Sequence, residues 1–476
     1  MRRCLIFPLL LLATVLFGLT SCREDRIADD PSCRLRFSAD TLRFDTLFSE
    51  RGSATKLLKV YNDYSNRLKI SAITLNEKSF RVNVDGVASD SCGPLVLNAH
   101  DSLQIYVQAL VEDAASAAPY RKTGQLQFLL NGQRQGVILE AWGRSARRVG
   151  PTVISRDTLW TGELPFLVLD TVTVAEGATL TIAEGTTLYF ANRGGLQVYG
   201  TLRCEGSVGH PVVMRGDRSD CMNTLPPLPY DLASGQWRGI LFRSSTDNRM
   251  AWTEVRNSSY GVVLDSTASP QSLELDHCRM SNSTGCVLTQ RGGTLQLLGC
   301  LLYNAAENVL DVESGTCEMV HCTVANYYGF SWSSRSGSSL RIANYMLTAQ
   351  GETRPTDVSF TAVNGIVGGD WTTEFTVDRL DAGGMLDYTL ANCMLSKRLS
   401  DIPANYVNCI FNGQSGFLFE SWEEGEHPFE YDFHLTSSSS AIGRALKSAA
   451  ESCPLDLDGV DRTAGGQYDL GCYAYR

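Results

Sequence analysis

No CxxC pair and no His/Cys spacing in this chain suggests a zinc site. Positive charge is scarce as well. The chain has 41 Lys and Arg against 52 Asp and Glu, a formal net charge of −11, and such a balance repels nucleic acid and anionic lipid. The one long apolar run, Leu5 to Leu19, carries no charge but is too short to span a bilayer comfortably. Long helices are disfavoured by the 42 glycines in 476 residues. What is present, with 43% hydrophobic residues, is material for an all-β chain with two cores.

Arg2 and Arg3 precede the apolar run, giving the basic start and greasy middle of a secretory signal. The run ends in Leu19-Thr20-Ser21-Cys22, which resembles the bacterial lipobox. That resemblance implies removal of residues 1–21 and a lipid on Cys22; two arginines and no acid leave, so −11 becomes −13. Residues 22–34 are then a tether. Its Arg23-Glu24-Asp25 and Asp29-Asp30 resemble the surface-export signal of Bacteroidota lipoproteins, implying an outer-membrane protein held by lipid alone and facing the exterior. Cys4 leaves with the signal, so 13 of the 15 cysteines remain besides Cys22, an odd number in a disulfide-permissive setting. Cys33 and Cys92 are candidates to close the first domain, Cys204 and Cys221 to staple an insertion, and Cys453 and Cys472 complete the candidate set; connectivity cannot be read from spacing.

Residues 35–146 alternate short β-rich runs with turns: Leu35 to Phe37, Thr41 to Asp45, Lys56 to Tyr61, Leu68 to Leu75, Phe80 to Val84, Leu103 to Ala109, Gln125 to Leu130 and Gly136 to Ala141. This is the pattern of a β-sandwich. Asn131-Gly132 predicts a tight hairpin between the last two runs, and the basic stretch Arg144 to Arg148 reads as a linker. The pattern resembles the immunoglobulin-like modules that precede repeat domains in Bacteroidota lipoproteins. No His, Ser or carboxylate constellation suggests chemistry here, so the domain reads as a spacer or docking module.

From residue 150 to 435 the chain repeats. Leu273-Glu274-Leu275-Asp276-His277-Cys278 returns after 22 residues as Leu295 to Cys300 and again as Cys317 to Cys322, with Asn282, Asn304 and Asn326 at one shared offset. A period near 22 built of short alternating strands and Gly/Asn corners fits one coil of a parallel β-helix. The leucine-rich alternative lacks its consensus. The cysteines Cys278, Cys300 and Cys322 then form an interior ladder, and the asparagines suit corners because Asn tolerates positive φ. On that reading Cys300→Ser costs about 1 to 3 kcal/mol, by burying a hydroxyl with no assured partner. Irregular spacing downstream implies loops inserted between coils, and the largest insertion runs from Gly206 to Leu232.

The sandwich, Leu196-Gln197-Val198-Tyr199-Gly200-Thr201-Leu202, Gly235-Gln236-Trp237, His321 to Tyr327 and the Asn-Cys rungs at 392–393 and 408–409 together resemble right-handed parallel β-helix lipoproteins of Bacteroidota with an N-terminal immunoglobulin-like domain. Residues 436–476 are similar to the terminal segment of such proteins and are expected to cap the helix, with the acidic, aromatic stretch Phe419 to Phe433 covering the last coil. Gly443 and Cys472 depart from the usual pattern, which has Asp and Ala there. The resemblance implies a fold and a location but no reaction.

For function, a polysaccharide lyase would need carboxylates from adjacent coils and a nearby Arg or Lys. Asp311 and Glu313 flank one strand, Asp276 and Glu274 lie one coil earlier on another face, and the sequence predicts no convergence. His277 and His321 share a column but stand a whole coil beyond one another. Tyr327, Tyr328, Phe330 and Trp332 form a candidate sugar-stacking patch, half of which alternation assigns to the core. Asp456 to Asp461 faintly resembles a calcium loop without the spaced ligands of an EF-hand; no other cofactor is expected. Asp40-Thr41-Leu42, Asp45-Thr46-Leu47, Asp101-Ser102-Leu103, Asp157-Thr158-Leu159 and Asp170-Thr171-Val172 resemble the O-glycosylation sequon of Bacteroidota and also make good strand starts. The expected molecule is a monomeric, non-catalytic surface protein that binds a polysaccharide or another surface protein; the alternative is a lyase or glycoside hydrolase acting on an acidic polysaccharide.

Overall fold

The computed structural model describes residues 26–476 except 117, 223–227, 244–246, 266–270, 330–333, 349, 398, 400–402, 412–418 and 422–430. It is nearly all β, and the chain divides into two compact units at Ser145 and Ala146.

In the first unit, alternation builds two sheets over one core. One runs Arg36–Phe37, Lys56–Tyr61, Ser102–Ala109, Phe80–Val84 and Val87–Ala88; the other runs Ile27–Ala28, Arg67–Leu75, Tyr120–Leu130, Gln133–Arg144 and Thr41–Phe48, with Ser91–Cys92 and Leu95–Leu97 also on Arg67–Leu75. Every second residue points inward. Leu58, Val60, Ile70, Phe80, Ile105, Val107, Phe128 and Leu139 are buried together. Asn131 and Gly132 adopt φ of 47° and 78°, which only such residues enter cheaply, so the hairpin forms where predicted. The basic stretch is not a linker: Arg144 ends one strand and Arg147–Val149 opens the next unit's first sheet.

The second unit is made of parallel strands compatible with a parallel β-helix, in three stacked columns. One column runs from Thr152–Ile154 through Thr171–Val174, Gly195–Val198, Ile240–Phe242 and Val262–Asp265 to Leu340–Ala343 and Phe375–Asp378. A second runs from Thr158–Trp160 to Tyr406–Val407, and the long strands Leu288–Leu298 and Leu310–Val320 bend from the first column into the second. The third, Arg147–Val149 to Ile410–Phe411, is a separate sheet of eleven strands. The 22-residue repeat is a register: Leu273 pairs with Leu295, and Leu295 with Cys317. Four of the five Asp-Thr/Ser triplets open strands, at Thr41, Ser102, Thr158 and Thr171.

The corner before the third sheet carries Trp252, His277, Gly299, His321, Asn364, Asn392 and Asn408, all at positive φ between 43° and 60°. The next position is the cysteine ladder. Cys278 N–H donates to Cys300 Sγ at 3.4 Å and Cys300 N–H to Cys322 Sγ at 3.3 Å, while each thiol faces the carbonyl two residues back and one on the preceding coil. Burial pushes the Cys278 and Cys300 thiols well above their ordinary pKa, so they are packing groups without thiolate reactivity. At the second corner Asn282 and Asn304 take the expected positive φ; Asn326 does not, and its amide donates instead to the carbonyls of Ala305 and Glu307.

Among the described residues the tail covers a flank: Phe433, Leu435, Ala441, Leu457, Leu470 and Cys472 pack on Leu301, Ala325, Ile366 and Met394, which point outward from the third sheet, with Ile410 beside them. That face is apolar and would otherwise meet water. Most of the stretch expected over the last coil, 422–430, lies outside the described residues. Polar bonds along the corner fix the tail in place. His277 Nε2 lies 3.0 Å from Leu455 O, Arg462 Nη1 donates to His321 Nδ1 at 3.2 Å, Asn364 donates to Leu446 O at 3.0 Å, and Asn392 donates to Arg444 O at 3.0 Å.

Candidate functional site

The site sits on the outer face of the first column, where coils become irregular. Leu310, Leu340 and Phe375 stack inward, which turns the residues beside them outward. Asp311 therefore pairs in register with Arg341, and Asp378 lies two residues beyond the position opposite Arg341. Glu313 joins them because the ladder slips there: Gln290 pairs with Val312 but Arg291 with Ser314, leaving Glu313 as the extra residue of a bulge.

Three carboxylates thus meet one guanidinium. Arg341 donates to Asp311 at 2.8 Å, to Asp378 at 2.7 Å and to Glu313 at 3.4 Å, and Arg291 donates to Glu313 from the other side at 2.8 Å. This corrects the expectation that no acidic cluster converges; the coils bring together what the sequence separates. Burial raises the Asp311 pKa to about 6, with Glu313 adding to it and Arg341 opposing it. Arg341 is itself half-desolvated, which works against its charge, but Asp311 and Asp378 more than offset that and hold its pKa above the ordinary value. The guanidinium stands where a cation between these carboxylates would have to stand, so the cluster neutralises part of its own charge.

Beside the cluster is an open cleft of about 530 Å³, bordered by Glu307, Asn308, Ser338, Arg341, Trp371 and Asp378. Trp371 is 39% exposed. An indole at the edge of a cleft furnished with hydroxyl, amide and charged groups is an arrangement that takes polyhydroxylated ligands.

The predicted site residues fare differently. Tyr327 and Tyr328 are buried, the first among Tyr431 and Phe433 of the tail and the second through a 2.7 Å bond to Ser234 Oγ, so they form no ligand patch. Phe330, Trp332 and Cys22 lie outside the described residues. Cys33, Cys92, Cys204, Cys221, Cys453 and Cys472 are free thiols, which corrects the disulfide assignments. The stapling pair fails because Cys204 points into the core of the second unit while Cys221 is exposed on the insertion. In the calcium-like loop, Asp456 accepts the N–H groups of Asp458, Val460 and Ala474, and Asp458 meets Arg279, His434 and Arg476. Those oxygens already have donors. Arg341, Trp371 and Asp378 escaped sequence reasoning because the loops between coils break the 22-residue step; the alternation Leu310-Asp311-Val312, Leu340-Arg341-Ile342, Phe375-Thr376-Val377 was the signal that could have aligned them.

No family model and no curated protein matches the chain. Among solved structures, it is similar to a family 123 glycoside hydrolase from Clostridium perfringens, described for its hydrolysis of glycolipid glycans, with 7% identity and a TM-score of 0.17 over 24% of this chain and 26% of that one. A likeness that slight carries no argument about fold or activity.

Proposed function

We propose that this chain is an outer-membrane lipoprotein, anchored through Cys22, in which an immunoglobulin-like domain carries a right-handed parallel β-helix that binds a neutral glycan in the Trp371 cleft. The observation that supports this reading is Trp371 itself, half-exposed beside hydroxyl and amide groups in a cleft of about 530 Å³. Acidic polysaccharide fits poorly. The carboxylates of Glu307, Asp311, Glu313 and Asp378 outnumber Arg291 and Arg341, and the whole chain carries −11, so a uronic acid is repelled. The test is a calorimetric titration of the mature chain with xylo-, manno- and cello-hexaose and with an oligogalacturonate. Binding of a neutral hexaose that weakens tenfold or more in Trp371→Ala is expected, an effect in the range of a lost sugar–aromatic contact. Equal affinity in the variant, or binding of the oligogalacturonate alone, overturns the reading.

One observation favours a second reading, a glycoside hydrolase: Asp311, with its pKa raised to about 6 and Glu313 beside it, has the character of a general acid. Against it, Asp311 is 6% exposed and both its oxygens are taken by Arg341, with Asn308 on one of them as well. Reducing ends released from the bound hexaose between pH 5 and 7, and abolished in Asp311→Asn, would establish it over the binding reading.

A further inference from the structure

A buried ion pair stands behind Trp371. We propose that Arg335 and Glu374 are positioning residues that lock the indole and leave it a single free face, so that the cleft stacks one sugar ring and not a sandwiched pair. This rests on the glycan-binding reading above.

Glu374 is fully buried and the Arg335 side chain is 3% exposed. Glu374 Oε1 accepts the backbone N–H of Trp371 at 2.8 Å; Oε2 accepts Ser339 N–H at 3.0 Å and the Arg335 guanidinium, and Ser339 Oγ lies 2.8 Å from it while also facing Gly368 O at 2.6 Å. Three further Arg335 N–H groups go to Asn326 O at 2.7 Å, Gly337 O at 2.9 Å and the Asp370 carboxylate. That guanidinium lies over the Trp371 ring, 4.2 Å from its centroid. One pair therefore holds the backbone of the tryptophan from one side and covers a face of its ring from the other. Gly369 completes the device: its φ is +157°, and a Cβ there would come within 2.2 Å of Glu374 Oε1, so only glycine lets the carboxylate reach its place.

Stability alone is a weak reason for such a pair. Taking two charges out of water costs as much as their attraction returns, and an apolar pair of similar volume packs at least as well. What an apolar pair lacks is direction. It has no acceptor for the Trp371 N–H and no planar cation to stack on the indole. Because Arg335 already occupies one face, a ligand ring has only the face turned to the cleft.

The experiment titrates wild type, Trp371→Ala, Glu374→Gln, Arg335→Lys and the Trp371→Ala/Glu374→Gln double variant with whichever neutral hexaose wild type binds most tightly, and records near-ultraviolet circular dichroism of each without ligand. Glu374→Gln is expected to lose tenfold or more in affinity and to change the tryptophan bands, with no further loss in the Trp371→Ala background. Arg335→Lys, which keeps the charge but not the plane, should fall between. Should Glu374→Gln fail to fold, Ser339→Ala removes a hydroxyl that contacts the same carboxylate and is expected to weaken binding two- to fivefold with the same spectral change. Wild-type affinity and spectrum in a folded Glu374→Gln, or in Ser339→Ala where that stands in for it, while Trp371→Ala loses binding, overturn the positioning role alone. Wild-type affinity in Trp371→Ala, or no binding by any hexaose, overturns the cleft reading and the positioning role with it.

Discussion

The coils from Leu273 to Cys322 and those from Leu340 to Asp378 use one inward packing pattern but differ in what they carry outside. In the first stretch each coil takes 22 residues, and inward ladders of Leu and Cys and the corner residues recur at each step, with a register slip at the Glu313 bulge. In the second, steps of 30 and 35 residues hold the same inward column of Leu310, Leu340 and Phe375 while the extra chain lies outside. The Trp371 loop and the Arg335–Glu374 pair are built from that extra chain. Regular repeats spend their residues on stacking, and a site arises where the stack can be kept while the connection lengthens.

If that contrast holds, damage to the regular ladder destabilises without touching binding. Leu297 is fully buried between Leu275 and Met319 of neighbouring coils, so Leu297→Ala should cost about 3 to 4 kcal/mol from lost transfer energy and a cavity. Chemical denaturation reads the cost, and hexaose affinity at a temperature where the variant is folded should equal that of wild type. A cost under 1 kcal/mol would mean that the stack relaxes around the hole.

Two histidines in the same corner column sharpen the comparison within the regular stretch itself. His277 is buried, which disfavours its charge, but Asp276 at 2.6 Å, Cys453 and the Leu455 carbonyl outweigh this and raise its pKa to about 10. Its contribution is fully present below pH 6.5, the unfolded value, and is lost as pH rises through about 10. His321 is the reverse. Burial first, and the Arg462 charge next, lower its pKa to about 3, so its contribution is present above pH 6.5 and is lost as pH falls towards 3. Arg462 Nη1 can only donate, so Nδ1 facing it must keep its lone pair, which favours the neutral imidazole. His277→Asn and His321→Asn should lose the alkaline and the acid dependence respectively, each of order 2 to 4 kcal/mol; asparagine already holds this corner at Asn364 and Asn392. Denaturant midpoints from pH 4 to 10 check it, and parallel pH profiles for the two variants would contradict the assignment.

The smallest effect is expected at Cys300→Ser. The sequence suggested 1 to 3 kcal/mol on the ground that a hydroxyl there had no partner. The ladder supplies one: the carbonyls of Leu275 and Leu298 lie 3.3 and 3.4 Å from the thiol, and Thr253, on the coil below Cys278, already bonds the carbonyl of Ala251 at 2.9 Å. A cost below about 1 kcal/mol is therefore expected, measured by thermal unfolding; a loss of 2 kcal/mol or more would show that sulfur volume, not bonding, holds the rung.

What the sequence determined by itself is periodic and local. Alternation placed all eight runs of the first unit in strands, Asn131-Gly132 set its hairpin, and the 22-residue recurrence fixed the register of three coils, because stacked strands force like residues into like positions. The tertiary structure decided whatever depends on chain far away. It laid the described part of the tail along an apolar flank, paired His277 with Leu455 and His321 with Arg462 across more than a hundred residues, and buried Tyr327 and Tyr328 beneath neighbours no local pattern names. It also gathered Asp311, Glu313 and Asp378 around the Arg341 guanidinium. Periodicity tells which way a side chain points from its own strand; which neighbours it meets depends on the length of the loops between coils, and loop length leaves no period to read.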